Sequence, residues 1–526
     1  MKQKGRISIS EPGILILGIL LSILSAAICM QIMGQFGTAP NTSLISAVLV
    51  MIVARIPLMV AKRFRNLERQ NYVLSIASSA GFAAANCGFV AVAVMFIMGR
   101  NDLIIPMAFG SLIGSMISVF VVGRIFDSKI FPARGAWPLG AAIAASLEAG
   151  DEGGKKGFQL LQGLIVGAIA SFLGIPAAGV GIAFIANMIT MAALGAGMIL
   201  RGYSPYIFNG FDIGQSNIAQ GIMIGAGVVA LVQIIMSMVK GSKKAPREKE
   251  KIEAEVKGEE YTVSDSAAIK TLLGSAGLFI GGAVVIALIM GVFSEMGLAQ
   301  SVLWILFSGV AAIIVMTLVG TASMHSGWAP TFAVVTIFLT FGLLIGFPAL
   351  PLAVIVGYLG SVGPCLADTG IGLKAGWIIR GKGTDKAYEI QGRRQQVLIK
   401  QLGVIIGTAM AVIFGIILMQ GEVLPPMSIF YASAVEMVAD SSVLRELALW
   451  AVPGAALQLA FGNKSVGLML ATGLLINNPI FGISVLAAIG LRLAIGTRHM
   501  SIRAPGLIAG DGLLGFGANI FRAFFG

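Results

Sequence analysis

Apolar stretches of about 20 residues, each enough to cross roughly 30 Å of hydrocarbon as a helix, follow one another along most of this 526-residue chain. They run at 13–34, 42–61, 72–99, 103–123, 157–174, 176–200 and 213–239, then at 268–293, 301–321, 330–347, 350–364, 397–420, 447–461, 466–496 and 505–525. Backbone in hydrocarbon has to satisfy its own hydrogen bonds, so such a succession folds as helices. The expected class is an all-α polytopic membrane protein with about 14 to 16 transmembrane helices in two pseudo-symmetric halves, some helices broken or re-entrant. Composition agrees: 57% of residues are hydrophobic and 11% charged, where soluble chains carry about 25% charged. Glycine fills 69 positions, close to twice the usual share of about 7%, which suits helices whose backbones approach closely.

One polar connector interrupts this pattern. Lys243, Lys244, Lys249 and Lys251 alternate with Glu248, Glu250, Glu253 and Glu255, a composition too polar to join an apolar core. It divides the chain into an N-terminal half (1–240), a cytoplasmic linker (241–267) and a C-terminal half (268–526). The net charge of +12 comes from Lys and Arg in short loops, as the positive-inside bias predicts, so it signals topology and no nucleic-acid partner. Lys2, Lys4 and Arg6, then Lys62, Arg63 and Arg65, and later Arg124, Lys129, Lys382, Lys386, Arg393 and Arg394 place the N-terminus in the cytoplasm of a cell with the chain in its inner (plasma) membrane. The first apolar run exceeds a signal-peptide core and is read as an uncleaved helix.

Chemistry concentrates where charge enters apolar sequence. Between Gly363 and Gly381 the chain places Asp368 and Lys374 in a glycine-punctured stretch between two apolar segments. An ionised side chain at bilayer depth costs roughly 2.5–3.5 kcal/mol even on insertion scales, so it usually lines a cavity or a solute path. The six-residue spacing is not that of one helix face, so pairing these two charges requires the glycines to bend the backbone. The alternative is a loop at the membrane surface, with Lys374 snorkelling. A carboxylate removed from water accepts a proton more readily, and a nearby cation opposes this.

Weaker signals accompany that segment. Ser75, Ser79 and Asn86 share a helical face, with Ser78 beside them. Packing explains Ser75, whereas a buried amide at Asn86 needs several partners and has the stronger functional claim. Asp511 begins the last apolar segment, where a carboxylate also complements a helix dipole. Asp212 marks another broken helix start. Glu148, Asp151, Glu436 and Asp440 read as loop or solvated acids, and Trp137, Trp328 and Trp377 as interfacial anchors. Three cysteines, Cys29, Cys87 and Cys365, show no disulfide or metal spacing, and two histidines, His325 and His499, are too few for a proton relay or a multi-histidine site. No cofactor and no bound metal are expected.

Asn71 to Gly81, Phe131-Pro132 with Leu147-Glu148-Ala149-Gly150, the run Asp368, Lys374, Gly376, Gln395 and Gln401-Leu402-Gly403, and Gly506 to Gly512 together resemble, in matching order, the oligopeptide transporter (OPT) superfamily, which includes the yellow-stripe-like metal-chelate carriers. Asp368, Lys374 and Gly376, followed by Gln395 and Gln401-Leu402-Gly403, resemble its Asp-rich Lys-Thr-Gly segment and downstream Gln. The helix from Asn71 to Gly81 resembles its early Asn-x-Val-x-x-x-Ala-Ser-Ala-Gly helix. Phe131-Pro132 with Leu147-Glu148-Ala149-Gly150 resembles its Phe-Pro-x-Gly-x-Ala loop, and Gly506 to Gly512 its last-helix Gly-Leu-Ile-x-Gly-Asp-Gly. Two departures stand out. The family's Pro-Glu-Gly-Thr-Ala is replaced by Pro132-Ala133-Arg134-Gly135-Ala136, which makes Arg134 a candidate, and the second acid of the Asp-rich segment is Gly372. Both changes point toward a more anionic substrate.

The resemblance implies a secondary carrier, in a prokaryotic member, that takes up small peptides or peptide-like metal chelates with protons. Its partners are then that substrate, protons and the lipid bilayer, with a homodimer as the assembly to test. The candidate substrate-binding or coupling residues are Asp368, Lys374, Asn86, Ser79, Arg134, Gln395, Asp511 and Asp212. An enzyme acting on a lipid-linked substrate would need His/Asp clusters or an activated nucleophile, and a channel would need a repeated filter. Both are weaker readings. The polar stretch 131–154 is a candidate mirror of 363–381, as Tyr203 to Gly227 is of 504–512.

Overall fold

The computed structural model describes residues 7–525 except 38–41, 56–63, 65, 152–154, 245–260, 327–328, 437–440, 462–465, 498–499 and 501. Trp328, His499, Asp440 and most of the expected linker therefore lie outside the described residues. Among the described residues the chain is helical, with no strand and an isolated bridge between Phe126 and Phe131.

The first part comprises α1 (Pro12–Phe36), α2 (Thr42–Arg55), α3 (Leu67–Ile97), α4 (Ile104–Ile125) and α5 (Pro138–Asp151). It continues with α6 (Lys155–Phe172), α7 (Ala177–Ile185), α8 (Met188–Ile207) and α9 (Ile218–Lys244). Next come α10 (Asp265–Ile289), α11 (Leu298–Ser326), α12 (Thr331–Ile345), α13 (Ala349–Ile379) and α14 (Lys386–Gln420). The chain closes with α15 (Pro426–Glu436), α16 (Ser441–Phe461), α17 (Val466–Leu475), α18 (Pro479–Ile495) and α19 (Arg503–Phe525). Seven described helices are long and apolar enough to span a bilayer individually: α1, α3, α4, α10, α11, α13 and α14. Shorter apolar helices include α17, α18 and parts of α6, α9 and α12.

Local chemistry sets these boundaries. Asn66 starts α3 by accepting from the Glu68 and Arg69 amides, Asn187 does the same for α8, and Asp385 and Asn478 cap α14 and α18, each satisfying amides that lack intrahelical partners. Gly37, at φ +67°, closes α1 in the left-handed conformation that glycine adopts without strain. Within α3, residues Ala83–Phe89 widen into a π-helical segment, which displaces the side chains there from their regular helical positions.

The core is built on two buried helices, α3 and α13. Nearly every residue of α13 from Leu350 to Trp377 is buried. Helix α13 packs on α3, α4, α11, α12 and α14, and α14 packs on α3, α4 and α1. On the periphery α6 packs on α19, α9 on α16, and α8 on α17 and α18.

The expected break at 363–381 is absent: α13 is continuous over 31 residues. Its glycines serve close approach instead. A Cβ on Gly363 would press on Val319, one on Gly370 would lie 2.3 Å from the Trp137 ring, and one on Gly372 would lie 2.5 Å from Lys400 Cε. Helix α13 tolerates Pro364 because neighbouring helices enclose the turn whose hydrogen bond proline removes. Helix α9 continues to Lys244 and α10 begins at Asp265, on either side of the expected linker. Ser264 caps α10, and Thr262 donates to Asp127 at 2.7 Å while accepting from Arg393 at 2.9 Å. That fastens the chain beside the end of α4 as soon as the connector ends.

Peripheral helices approach through the same device. A Cβ on Gly225 of α9 would lie 1.8 Å from the Ala451 carbonyl of α16, whereas one on Gly277 of α10 meets nothing. Gly225→Ala is therefore expected to cost about 1–3 kcal/mol through forced separation of backbones, while Gly277→Ala is neutral or stabilises by up to about 1 kcal/mol. Apparent Tm in detergent measures the contrast, and equal shifts would contradict this packing.

Candidate functional site

Helices α3, α13 and α14 bring one carboxylate and one ammonium together in the interior. Asp368 Oδ2 lies 2.6 Å from Lys400 Nζ, with the two side chains 3% and 0% exposed. Ser79 donates to Asp368 Oδ2 at 3.1 Å, and Ser43 and Ser78 donate to Oδ1 at 3.0 and 3.3 Å. Lys400 also reaches the Ser79 hydroxyl at 3.1 Å. A buried ion pair holds only when its remaining hydrogen-bonding sites are filled, and here four groups saturate the carboxylate.

The partner of Asp368 is thus Lys400, and the expected pairing with Lys374 does not form. The six-residue offset on an unbroken helix turns Lys374 to another face, where its ammonium donates to the carbonyls of Ala133 and Gly135 at 2.7 and 3.0 Å. It also lies 4.7 Å from the Trp377 ring centroid, a cation–π distance. Lys374 therefore fastens the 131–137 loop to α13. Trp137 in that loop is fully buried against Phe126 and Phe131 and donates to the Pro132 carbonyl at 3.0 Å, so it is a core residue and not an interfacial anchor.

Two further polar layers continue from the ion pair. One turn along, Gln396 donates to Ser75 at 2.9 Å and to the Gly372 carbonyl at 2.7 Å. It also accepts from Arg380 at 3.0 Å. Beyond it, Arg380 grips Glu389 through two bonds of 2.7 and 3.0 Å, with both side chains 1% exposed. Glu68 accepts from Tyr388 at 2.6 Å and Tyr72 at 3.2 Å. Sequence reasoning selected Gln395 from this region. Gln396, one position on, carries the bonds, while Gln395 is half-buried with its Oε1 unpartnered.

On its other side, Asp368 lines a cavity of about 200 Å³. Ser43 of α2, Asn86 of the α3 π segment, Ser323 of α11, Thr331 of α12, Tyr431 of α15 and Thr472 of α17 share that lining. Residues from both parts of the chain therefore enclose it. Ser79 reaches the cavity only through Asp368, and Asn86 lies in its wall.

The remaining sequence candidates lie elsewhere. The Asp511 carboxylate accepts from the Ala178 amide at 2.7 Å and so caps α7, a helix other than its own. Asp212 pairs with Arg201 and accepts from the Gly214 amide at 2.9 Å. Arg134 is half-buried in the 131–137 loop. None of the three lines the cavity. Lys400, Ser43 and Gln396 are the residues that sequence reading missed. The available signal was a lysine and a glutamine four apart at the start of the apolar segment 397–420, on the helix face presented to Ser75 and Ser79.

The fold and this site define a polytopic α-helical membrane protein with a charge pair at the wall of a cavity. Residues 13–235 match the family model described as OPT oligopeptide transporter protein. Comparison with the curated proteins gives no match.

Replacing Lys374 by Met leaves two carbonyls in the 131–137 loop without their donor, at an expected cost of about 1–3 kcal/mol for each that stays buried. Apparent Tm in detergent reports it, and Lys374→Arg is expected to recover part of the loss. An unchanged Tm for Lys374→Met would show that the loop does not depend on this ammonium.

Proposed function

We propose that the chain is a secondary active transporter, a proton-coupled symporter of small oligopeptides or peptide-like metal chelates, working by alternating access. The observation that carries this reading is the Asp368–Lys400 pair, buried among helices and with Asp368 in the wall of a cavity. Ionised groups held at membrane depth mark solute or proton paths. A proton on Asp368 removes the negative charge that holds Lys400 and loosens α13 from α14, so proton binding and helix movement are linked through one contact. Among the described residues of the cavity lining there is neither a nucleophile paired with a histidine base nor a repeated filter, which favours a carrier over an enzyme or a channel.

Two structural repeats supply the moving parts. The order of lengths α1 to α9 recurs in α11 to α19: the short α2 of 14 residues matches α12 of 15, and α7 of 9 residues matches α17 of 10. Packing is reciprocal as well, α3 on α14 and α4 on α13, α6 on α19 and α9 on α16. On this reading α10 stands between repeats 12–244 and 298–525, α13 is the counterpart of α3, and α5 of α15, so 131–154 does not mirror 363–381. Asp368 and its serines then lie where counterpart helices meet, the position of substrate sites in repeat-built carriers. The chain resides in the inner (plasma) membrane with a cytoplasmic N-terminus and takes up its solute from outside.

Uptake of labelled tripeptides and metal chelates into proteoliposomes, with and without an inward proton gradient, tests the function. Wild type is expected to accumulate solute only with the gradient. The double variant Asp368→Asn/Lys400→Met, which removes both charges together, is expected to fold and to lose gradient-driven accumulation by at least about tenfold. Gradient-independent uptake by both proteins would overturn proton coupling.

A further inference from the structure

The cavity wall holds unused hydrogen-bonding capacity. Asp368, the only acid among the described residues of its lining, already accepts four bonds and is neutralised by Lys400. The groups left over can all donate. Ser323 Oγ, fully buried on α11, has no partner, nor have Thr331 Oγ1 on α12 and Asn86 Nδ2 on α3. Each unmatched buried group costs about 1–3 kcal/mol; Asn86 Nδ2 can only donate and the two hydroxyls can donate or accept, so an acceptor satisfies all three.

Helix α12 adds to this deficit. Its first residues, Thr331 and Phe332, line the cavity, and Pro330 before them provides no side-chain cap. The other long helix starts that open on Asn, Ser or Asp are capped by them, as at α3, α8, α10, α14 and α18. The Thr331 amide donates to the Ala329 carbonyl at 2.8 Å, and a start without a side-chain cap presents the positive end of the helix dipole. Over 15 residues that end is a ready anion site, here beside a fully buried hydroxyl without a partner.

We infer that this cavity binds its ligand through a carboxylate, seated at the N-terminus of α12 against Ser323, Thr331 and Asn86. The inference rests on the transporter reading only for the identity of the ligand's remainder. The carboxylate belongs either to a free peptide C-terminus or to a polycarboxylate chelator, both of which present two acceptor oxygens to this set of donors. Asp368 is spent on Lys400 and three serines, so a ligand ammonium finds no free acceptor carboxylate, and blocking the amine leaves recognition intact.

Equilibrium binding to the purified full chain in detergent tests the inference, with trialanine, N-acetyl-trialanine, trialanine amide and citrate as probes. Trialanine and N-acetyl-trialanine are expected to bind alike, and the amide at least about tenfold more weakly, the loss of one charged hydrogen-bonded contact. Citrate competing with trialanine supports the same site and assigns the carboxylate to a chelator as well as a peptide. Ser323→Ala and Asn86→Leu, both at groups with no protein partner to lose, are expected to keep the Tm and abolish the preference for free acid over amide. Equal binding of acid and amide, or no binding of any probe, overturns the inference. Failure of the transporter reading is separate: probes that bind without gradient-driven uptake leave a carboxylate site in a protein that does not carry its ligand.

Discussion

The arrangement of the interior depends on a lysine and an aspartate held out of water. Removing two charges from solvent costs several kcal/mol per ion, and mutual attraction repays this only with good geometry and satisfied surroundings. Asp368 and Lys400 meet those conditions through Ser43, Ser78 and Ser79. The requirement fixes α3, α13 and α14 relative to one another, since each contributes a group that the others cannot replace. It also explains Gly372. A side chain there would occupy the path of the Lys400 stem, so the position where the resembling family carries a second acid here makes room for a base.

The polar layers and the cavity are two consequences of that contact. Toward the 381–385 loop, the Gln396 and Arg380–Glu389 layers continue the pairing of buried charge with buried partners. Toward the cavity, the pair presents a carboxylate whose bonds are already used. Charge is thereby present in the wall while the open valences are those of hydroxyls, an amide and a helix start.

Much of this was legible in the sequence, and the errors share a physical cause. Helix class, the burden of charge at Asp368, and the interest of Ser79 and Asn86 follow from hydropathy and spacing. The glycines of 363–376 were misread as breaks because glycine weakens isolated helices. In a packed membrane core the same residue lets backbones and long side chains approach, and only the neighbours decide between the two uses. Lys400 follows Arg393 and Arg394 at the start of its apolar segment, where a lysine ordinarily snorkels, so local sequence does not single it out. Its partner lies 32 residues away on another helix, a relation that no local pattern encodes. Asp511 was expected to serve its own helix dipole, yet it caps α7, a contact set by how α19 lies against α7.

The most direct test is a double-mutant cycle on the pair, with unfolding stability measured for Asp368→Asn, Lys400→Met and the combined variant. A buried charge left without its partner is destabilising by about 3–5 kcal/mol, whereas removing both partners together is close to neutral. Each single change is therefore expected to lose most of that amount, and the double variant to recover it. Single losses that simply add in the double variant would contradict an interior organised around Asp368 and Lys400.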